Sequence, residues 1–351
     1  MTFKTAAILS DQTMYLDHLI PICSLLDAPL FVSDEKVLDF AKRYYPLTTP
    51  VQFRSTLDLS PDFLVKNFDL ILHPYFWANE QNKSLFYQAE QAHQKEVRFL
   101  YVPHGNSDKG WHTYWMENYG HLDRALIYGK HMKDFLDKKD ALPDHFTMGN
   151  LRQHYYLKNR NFFDSQVEKK VRPYLDTKKK TLLYAPTWAD HENSCSLFSS
   201  IETIVEQILP FWNLIVKMHP MIAEKMPAQA EVLFGSLEGK QNLVLLEEFP
   251  PVYPLFSLCD AYLGDYSSIG YDFLSIDKPL FFLNPSERPM KDPSRFLHQC
   301  GIDVSKESDL KKALESEDTF KAKRKEIYEY AFSPVTPLEL KDKIHQYYLE
   351  S

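Results

Sequence analysis

The sequence lacks the features that mark secreted, membrane-spanning or nucleic-acid-binding proteins. Its 351 residues contain four cysteines, scattered without a CxxC pair, which argues against a disulfide or zinc framework and for reduced thiols. No apolar run reaches the roughly 18 residues that a transmembrane helix needs, and the first residues do not follow the pattern of a signal peptide. The net charge of −8 argues against a basic nucleic-acid-binding face and against a polybasic membrane anchor. We therefore expect a cytoplasmic protein.

The composition is that of an ordinary globular protein. Hydrophobic residues make up 44% of the chain and charged residues 25%, so a sizeable core can form. The length corresponds to about two domains. We found no internal repeat and no low-complexity tract.

Strand patterns alternate with helix patterns in both halves of the chain. In the first half we predict strands at 6–9, 29–32, 68–73, 98–102 and 126–128, separated by helices. A charged stretch without strand character follows, and strands resume at 181–185, 213–218, 243–246, 261–264 and 280–283. Such alternation predicts an α/β protein of two doubly wound domains, 1–150 and 151–351, with C-terminal helices that could pack back on the first.

Because ligands of doubly wound sheets bind outside the carboxyl ends of the strands, the chemistry should follow strands directly. The first such segment is YVPHGNSDKGW, residues 101–111. His104 could act as a general base, since its ordinary pKa lies near neutrality. Gly105 would let a substrate approach the main chain, and Lys109 follows as a cation. The alternative is a strand-end histidine that bonds a neighbouring loop.

Two further segments follow strands of the second half. In LYAPTWAD, residues 183–190, Thr187 could donate to a phosphate and Trp188 could wall a pocket, or the tryptophan could simply pack between loops. In LIVKMHP, residues 214–220, Lys217 and His219 lie two positions apart, on the same face of a strand end. Either cation could neutralise a diphosphate.

The fourth segment, residues 260–284, is predicted as strand, turn, helix and strand. Its turn contains Asp265, Ser267 and Ser268, and Asp272 lies on the following helix. Serine hydroxyls and unpaired N–H groups at a helix start can bind an anion. Ser267 could instead be an ordinary N-cap, and Asp272 could bind a sugar or orient Tyr266.

Together, and in this order, the four segments resemble the CDP-glycerol glycerophosphotransferases, the family of teichoic acid primases and polymerases. The match runs from about residue 100 to 283 and uses His-Gly then Lys, Ala-Pro-Thr-Trp, Lys-x-His-Pro, and Asp-Tyr-Ser-Ser followed by Asp and Lys-Pro. The resemblance implies a GT-B fold, with two Rossmann-like domains facing a cleft and the donor nucleotide held mostly by the second. It implies His104 as the base, with His219, Ser267 and Ser268 holding the diphosphate and Asp265 in the same donor-binding site.

The implied reaction moves glycerol phosphate, or a related polyol phosphate, from a CDP-activated donor to an acceptor hydroxyl and releases CMP. The implied acceptor is a teichoic-acid-like polymer or a lipid-linked glycan, which would bring the protein to the inner face of the membrane. We expect no cofactor, because no cluster has the spacing of metal ligands. Two alternatives remain: another GT-B enzyme, such as a glycosyltransferase or sugar-nucleotide epimerase, and a non-catalytic nucleotide-binding protein.

Overall fold

The computed structural model describes residues 3–350 except 47–48, 76–79, 110–113, 189, 191–192 and 288–295. The chain divides into two compact units. The first comprises Met1–Gly105, Gly110–Asn159 and Tyr330–Ser351, and the second comprises Asn106–Lys109 and Arg160–Glu329. The chain thus enters the second unit for four residues, directly after His104 and Gly105, before the main crossing at Asn159.

The described part of the first unit contains seven strands: β1 (Thr5–Leu9), β2 (Leu30–Val32), β3 (Val51–Phe53), β4 (Leu70–His73), β5 (Arg98–Tyr101), β6 (Arg124–Ile127) and β7 (Asp144–Thr147). They form one parallel sheet in the order β3-β2-β1-β4-β5-β6-β7. Its helices are α1 (Leu16–Leu26), α2 (Glu35–Tyr44), α3 (Pro61–Asn67), α4 (Glu80–His93), α5 (Lys130–Lys138) and α6 (Leu151–Lys158). The strand order reverses between β1 and β4, which opens a crevice at their carboxyl ends.

The described part of the second unit contains six strands: β8 (Thr181–Ala185), β9 (Asn213–Lys217), β10 (Leu243–Leu246), β11 (Ala261–Asp265), β12 (Leu280–Leu283) and β13 (Ile302–Asp303). They form a second parallel sheet in the order β10-β9-β8-β11-β12-β13. Its helices are α7 (Arg160–Lys170), α8 (Leu197–Ile208), α9 (Pro220–Lys225), α10 (Pro227–Leu237), α11 (Tyr253–Leu258), α12 (Ser268–Phe273), α13 (Leu310–Leu314) and most of α14 (Lys321–Ala331). Here the order reverses between β8 and β11. The last helix, α15 (Pro337–Glu350), belongs to the first unit.

Helix α8 shows how each sheet is covered. Its buried residues recur every three or four positions and form one apolar face: Leu197, Ile201, Ile204, Val205 and Ile208. That face packs on the buried side chains of β8 and β9. Burying each aliphatic side chain contributes about 1.5–3 kcal/mol, so this face alone fixes the helix on the sheet.

The chain crosses between units after α6, nine residues beyond the boundary expected at 150 (159 against 150). Helix α6 packs against α1 in the first unit. Arg152 on α6 donates through Nε to the Asp17 carboxylate on α1 at 3.0 Å, and both side chains are buried. Leaving that carboxylate unpaired would be costly, which explains why α6 stays with the first unit.

Some elements were missing from the sequence prediction. Strands β3 and β7, VQF and DHFT, are short and largely exposed or polar, so they carry no apolar run. The charged stretch 158–180, predicted only as lacking strands, contains helix α7. The pattern of residues 224–234 predicts one helix, but the structure has two, α9 and α10, because Pro227 begins α10. No helix in the described ranges is both long and apolar enough to cross a bilayer.

Gly149 lies against the main chain of the C-terminal segment of the first unit. Gly149 has φ +61°, and a Cβ there would lie 2.6 Å from the main-chain oxygen of Ser333. Gly239 has a similar φ of +75°, but a Cβ there would meet nothing within 4 Å. The two positions therefore share the backbone strain and differ in steric overlap.

We predict that Gly239→Ala lowers the free energy of unfolding by about 1–2 kcal/mol, the cost of a left-handed conformation for a residue with a Cβ. Gly149→Ala should cost about 1–3 kcal/mol more, because the main chain of 333–335 must also move. Urea denaturation of both variants measures the difference. Equal losses of unfolding free energy in the two variants would show that residues 333–335 move aside without cost.

Candidate active site

The second sheet places two predicted segments side by side at its strand-order reversal. Asp265, the last residue of β11, is fully buried. Its Oδ2 accepts hydrogen bonds from the main-chain N–H of Thr187 at 2.7 Å and of Ser196 at 3.2 Å. One carboxylate therefore holds both ends of the loop that follows β8, the loop containing Ala-Pro-Thr-Trp. Asp265 was predicted to bind the donor. Its observed hydrogen bonds are to the main chain of this loop, which they hold in place.

Burial raises the pKa of Asp265 to about 6, although the Ser196 hydroxyl, the main-chain N–H groups of Thr187 and Ser196, and Lys109 act in the opposite direction. The other oxygen, Oδ1, is buried and has no hydrogen-bond partner among the described residues. Neighbouring donors and Lys109 therefore partly offset the effect of burial on this carboxylate.

Lys109 braces the same loop from another part of the sequence. Its Nζ donates to Thr187 Oγ1 at 2.9 Å and to Asp190 Oδ2 at 2.5 Å. Burial alone would raise the pKa of Asp190, but Lys109 and Ser194 outweigh it and lower that pKa. Because Thr187 Oγ1 accepts from Lys109, its own proton remains for another acceptor.

Asp108 is a site residue that sequence reasoning missed. It is fully buried in the second unit and accepts a hydrogen bond from the Tyr271 hydroxyl on α12. It also accepts from the main-chain N–H of Phe296 and Leu297, at 3.1 and 3.0 Å. An aspartate in a loop carries no sequence signal for this role, since the partners lie more than 160 residues away.

Trp188 and His219 meet, as the clustering of strand ends predicts. Their ring centroids are 6.4 Å apart at an interplanar angle of 36°. His219 precedes α9, and its Nδ1 accepts from the main-chain N–H of Met221 at 3.2 Å. The neutral ring therefore carries its proton on Nε2, which can donate to a phosphate oxygen. Lys217 ends β9 and is 9% exposed.

Ser267 occupies the N-cap position of α12 without capping it. Its side chain makes no cap hydrogen bond, and its buried Oγ has no partner of normal geometry in the described part of the chain, although the Tyr262 hydroxyl is nearby. The ordinary N-cap alternative is therefore wrong for this serine. Ser268 begins α12 and is half-buried. Asp272 is buried and accepts from the Tyr253 hydroxyl at 3.1 Å, which ties α12 to α11.

His104 lies in the first unit, just beyond β5, with its side chain exposed. Its ring makes an edge contact with Tyr15, with centroids 5.5 Å apart. His104 makes no hydrogen bond to any described residue. The alternative of a histidine bonded to a neighbouring loop is therefore not observed among these residues. Gly105 has φ +134°, a conformation that favours glycine, so backbone geometry accounts for that residue.

Part of the chain matches a known protein family. Residues 147–289 match the family model described as CDP-Glycerol:Poly(glycerophosphate) glycerophosphotransferase. The matched segment is about two fifths of the chain. It contains the Ala-Pro-Thr-Trp, Lys-Met-His-Pro and Asp-Tyr-Ser-Ser loops, so the resemblance predicted from them is confirmed.

Curated relatives carry the same family's names. A teichoic acid glycerol-phosphate primase of Bacillus spizizenii is 32% identical over 168 residues, which are 47% of this chain and 40% of that protein. A teichoic acid poly(glycerol phosphate) polymerase of the same organism is 26% identical over 146 residues, 40% of this chain and 34% of that one. The chain thus spans less than half the length of these relatives.

Solved structures confirm the predicted GT-B class of fold. The wall teichoic acid polymerase TagF aligns with a TM-score of 0.64 at 14% identity, covering 99% of this chain and 89% of that one. A UDP-GlcNAc 2-epimerase from Neisseria meningitidis aligns with a TM-score of 0.59 at 14% identity, covering 99% and 100%. At this identity the likeness concerns the fold alone.

We predict that the family segment gains stability from Asp265 as the pH falls. The pKa is about 6 in the folded protein and lies near 3.9 in an unfolded chain, so the folded state binds the proton more tightly. The contribution is complete below pH 4 and is lost as the pH rises through 6. Between pH 7 and pH 5, wild type should gain about 1 kcal/mol in the free energy of unfolding relative to Asp265→Asn. If the free energies of unfolding of the two proteins changed in parallel with pH, the prediction would be wrong.

Proposed function

We propose that this chain transfers glycerol phosphate, or a related polyol phosphate, from a CDP-activated donor to an acceptor hydroxyl, with release of CMP. One observation carries the proposal: the loops after β8, β9 and β11 converge at one sheet edge within the family segment. Asp265 bonds Thr187 directly, and Trp188 meets His219 there.

The groups at this edge suit a diphosphate. Nε2 of His219 and the hydroxyls of Thr187, Ser267 and Ser268 are hydrogen-bond donors, and Lys217 is a cation. These groups would hold the donor phosphates and stabilise the charge that develops on the leaving CMP. Trp188 offers an apolar wall beside them.

The reaction joins the acceptor oxygen to the phosphorus that carries the polyol. The bond between that phosphorus and the bridging oxygen breaks, and CMP leaves with the electron pair. The acceptor proton passes to His104, whose ring nitrogens make no hydrogen bond with described residues. Protein groups need only position the reactants and stabilise charge, as in other phosphoryl transfers.

The acceptor that we propose is a teichoic-acid-like polymer or a lipid-linked glycan. The matched relatives are named for teichoic acid glycerol phosphate synthesis. Such an acceptor would place this protein in the cytoplasm, in peripheral contact with the inner membrane face. A sugar-nucleotide epimerase remains the second candidate, because a UDP-GlcNAc 2-epimerase has the same class of fold and such enzymes also bind a nucleotide diphosphate.

We predict that the purified protein releases CMP from CDP-glycerol or CDP-ribitol in the presence of acceptor. His104→Gln should lower kcat at least about 100-fold, the usual contribution of a general base. His219→Gln should also lower kcat about 100-fold, through lost charge stabilisation. Product release followed by chromatography measures both.

Binding separates the two histidines. His104→Gln should keep the affinity of wild type for CMP, whereas His219→Gln should weaken it in calorimetric titration. Cytidine nucleotides should raise the melting temperature more than uridine nucleotides. Preference for UDP with turnover of a UDP-sugar would favour the epimerase, and CMP binding without turnover of any CDP-polyol would favour a non-catalytic protein.

We also predict that the reaction proceeds without a metal ion. The described residues contain no group of three or more carboxylate, histidine or cysteine side chains that could hold one. Donors from His219 and the serines would neutralise the diphosphate instead. Treatment with EDTA should leave the rate of CMP release unchanged. Activity that is abolished by EDTA and restored by magnesium would contradict this.

A further inference from the structure

The carboxyl edge of the first sheet carries a second imidazole that the mechanism above does not use. His18 lies on α1, which follows β1, and its Nδ1 is 2.8 Å from the hydroxyl of Tyr128. Tyr128 directly follows β6, and its hydroxyl donates to the main-chain oxygen of Pro103 at 2.9 Å. Pro103 precedes His104. These hydrogen bonds join His18 through Tyr128 to the main chain beside His104.

The hydrogen bonds select one tautomer of His18. A carbonyl oxygen can only accept, so the single Tyr128 proton points to Pro103. The Nδ1 atom of His18 must then be the donor to Tyr128. In the neutral ring this leaves Nε2 without a hydrogen, as an acceptor.

His18 is held neutral by its surroundings. Burial lowers its pKa well below the ordinary value, and nearby Arg152 and His104 lower it further. Arg152 is itself paired with Asp17, on the same helix as His18. The Nε2 acceptor is therefore present across the neutral pH range.

The path through Tyr128 and Pro103 thus connects two imidazoles at the sheet edge where ligands of this fold class bind. Neither the Nε2 atom of His18 nor the ring of His104 makes a hydrogen bond to any residue in the described ranges. Tyr15 packs its ring edge-on against His104 and limits where that ring can turn.

We propose that His18 is a specificity residue for a polyhydric acceptor. Its Nε2 accepts a hydrogen bond from a second hydroxyl of the acceptor, next to the hydroxyl whose proton passes to His104. The ligand class is the terminal diol of a glycerol or similar polyol unit. The inference rests on the proposed function, because it concerns the acceptor of that reaction.

Two substitutions at His18 separate its two nitrogens. His18→Asn places an amide NH₂ where Nδ1 lies, so it keeps the donor to Tyr128 and loses the Nε2 acceptor. The assay compares kcat/KM for a glycerol-ended acceptor with that for the same acceptor lacking the neighbouring hydroxyl. Wild type should prefer the diol about 10-fold, the value of one hydrogen bond, and His18→Asn should lose that preference. An unchanged preference in His18→Asn would overturn the proposal.

Tyr155 supplies a matched control for the tautomer argument. Its hydroxyl donates to the main-chain oxygen of Pro46 at 2.9 Å, in the same unit. Tyr128→Phe and Tyr155→Phe each remove a tyrosine-to-proline hydrogen bond of equal length. Only Tyr128→Phe should reduce the diol preference, because only it releases His18. Equal reductions would reveal a general loss of structure and count against the specificity role.

A measurement without turnover keeps this test separate from the proposed function. In ¹⁵N-histidine-labelled protein, with His18→Gln to assign the signal, His18 should show the Nδ1-protonated tautomer. Adding glycerol 1-phosphate should shift its Nε2 resonance, and the analogue without the second hydroxyl should not. If these shifts occur while every CDP-polyol fails as donor, the subsite stands and the proposed reaction falls. If transfer occurs and Nε2 does not respond, the subsite falls.

Discussion

The second sheet's edge depends on one buried carboxylate that holds main-chain N–H groups. Asp265 ends β11 and fixes the loop after β8 at Thr187 and at Ser196. Without it, both N–H groups would lose a charge-assisted hydrogen-bond partner in a buried place, which is costly. The pKa of Asp265 is raised because the carboxylate must be buried to accept these hydrogen bonds, and burial disfavours its charged form.

A cation from a distant part of the chain completes the loop. Lys109 lies between Thr187 and the Asp190 carboxylate, so it neutralises charge that would otherwise repel a diphosphate. It also leaves the Thr187 hydroxyl proton available. Asp108, its neighbour, is bound to α12 and to residues 296–297. The short segment 106–109 therefore stabilises the second unit through these hydrogen bonds. Its position in the sequence, next to His104 of the first unit, does not indicate this role.

Sequence patterns predicted the parts of the structure that depend on local apolar spacing. Strands β8, β10 and β12 begin and end where their apolar runs predict, and the loops with chemistry follow the predicted strands. The features that the sequence did not predict depend on partners distant in the chain and not on a local apolar pattern. They are the two edge strands of the first sheet, β3 and β7, and the hydrogen bonds of Asp108. Ser267 illustrates the same limit, since a helix-start serine resembles an N-cap in sequence whether or not its hydroxyl bonds the helix.

The two sheets present different chemistry at equivalent edges. Beyond β8, β9 and β11, hydroxyl donors and two lysines, Lys109 and Lys217, lie beside the carboxylates of Asp265 and Asp190. The donors and the lysines suit an anion. Beyond β1, β5 and β6, they are imidazoles and tyrosine rings, with His18 held as a neutral acceptor through Tyr128 and Pro103. Neutral acceptors suit a hydroxyl, because a hydroxyl brings a proton to donate and no charge to be neutralised. The proposed function uses this difference, with an anionic donor at one edge and a polyol acceptor at the other, and the difference comes from a few side chains at strand ends.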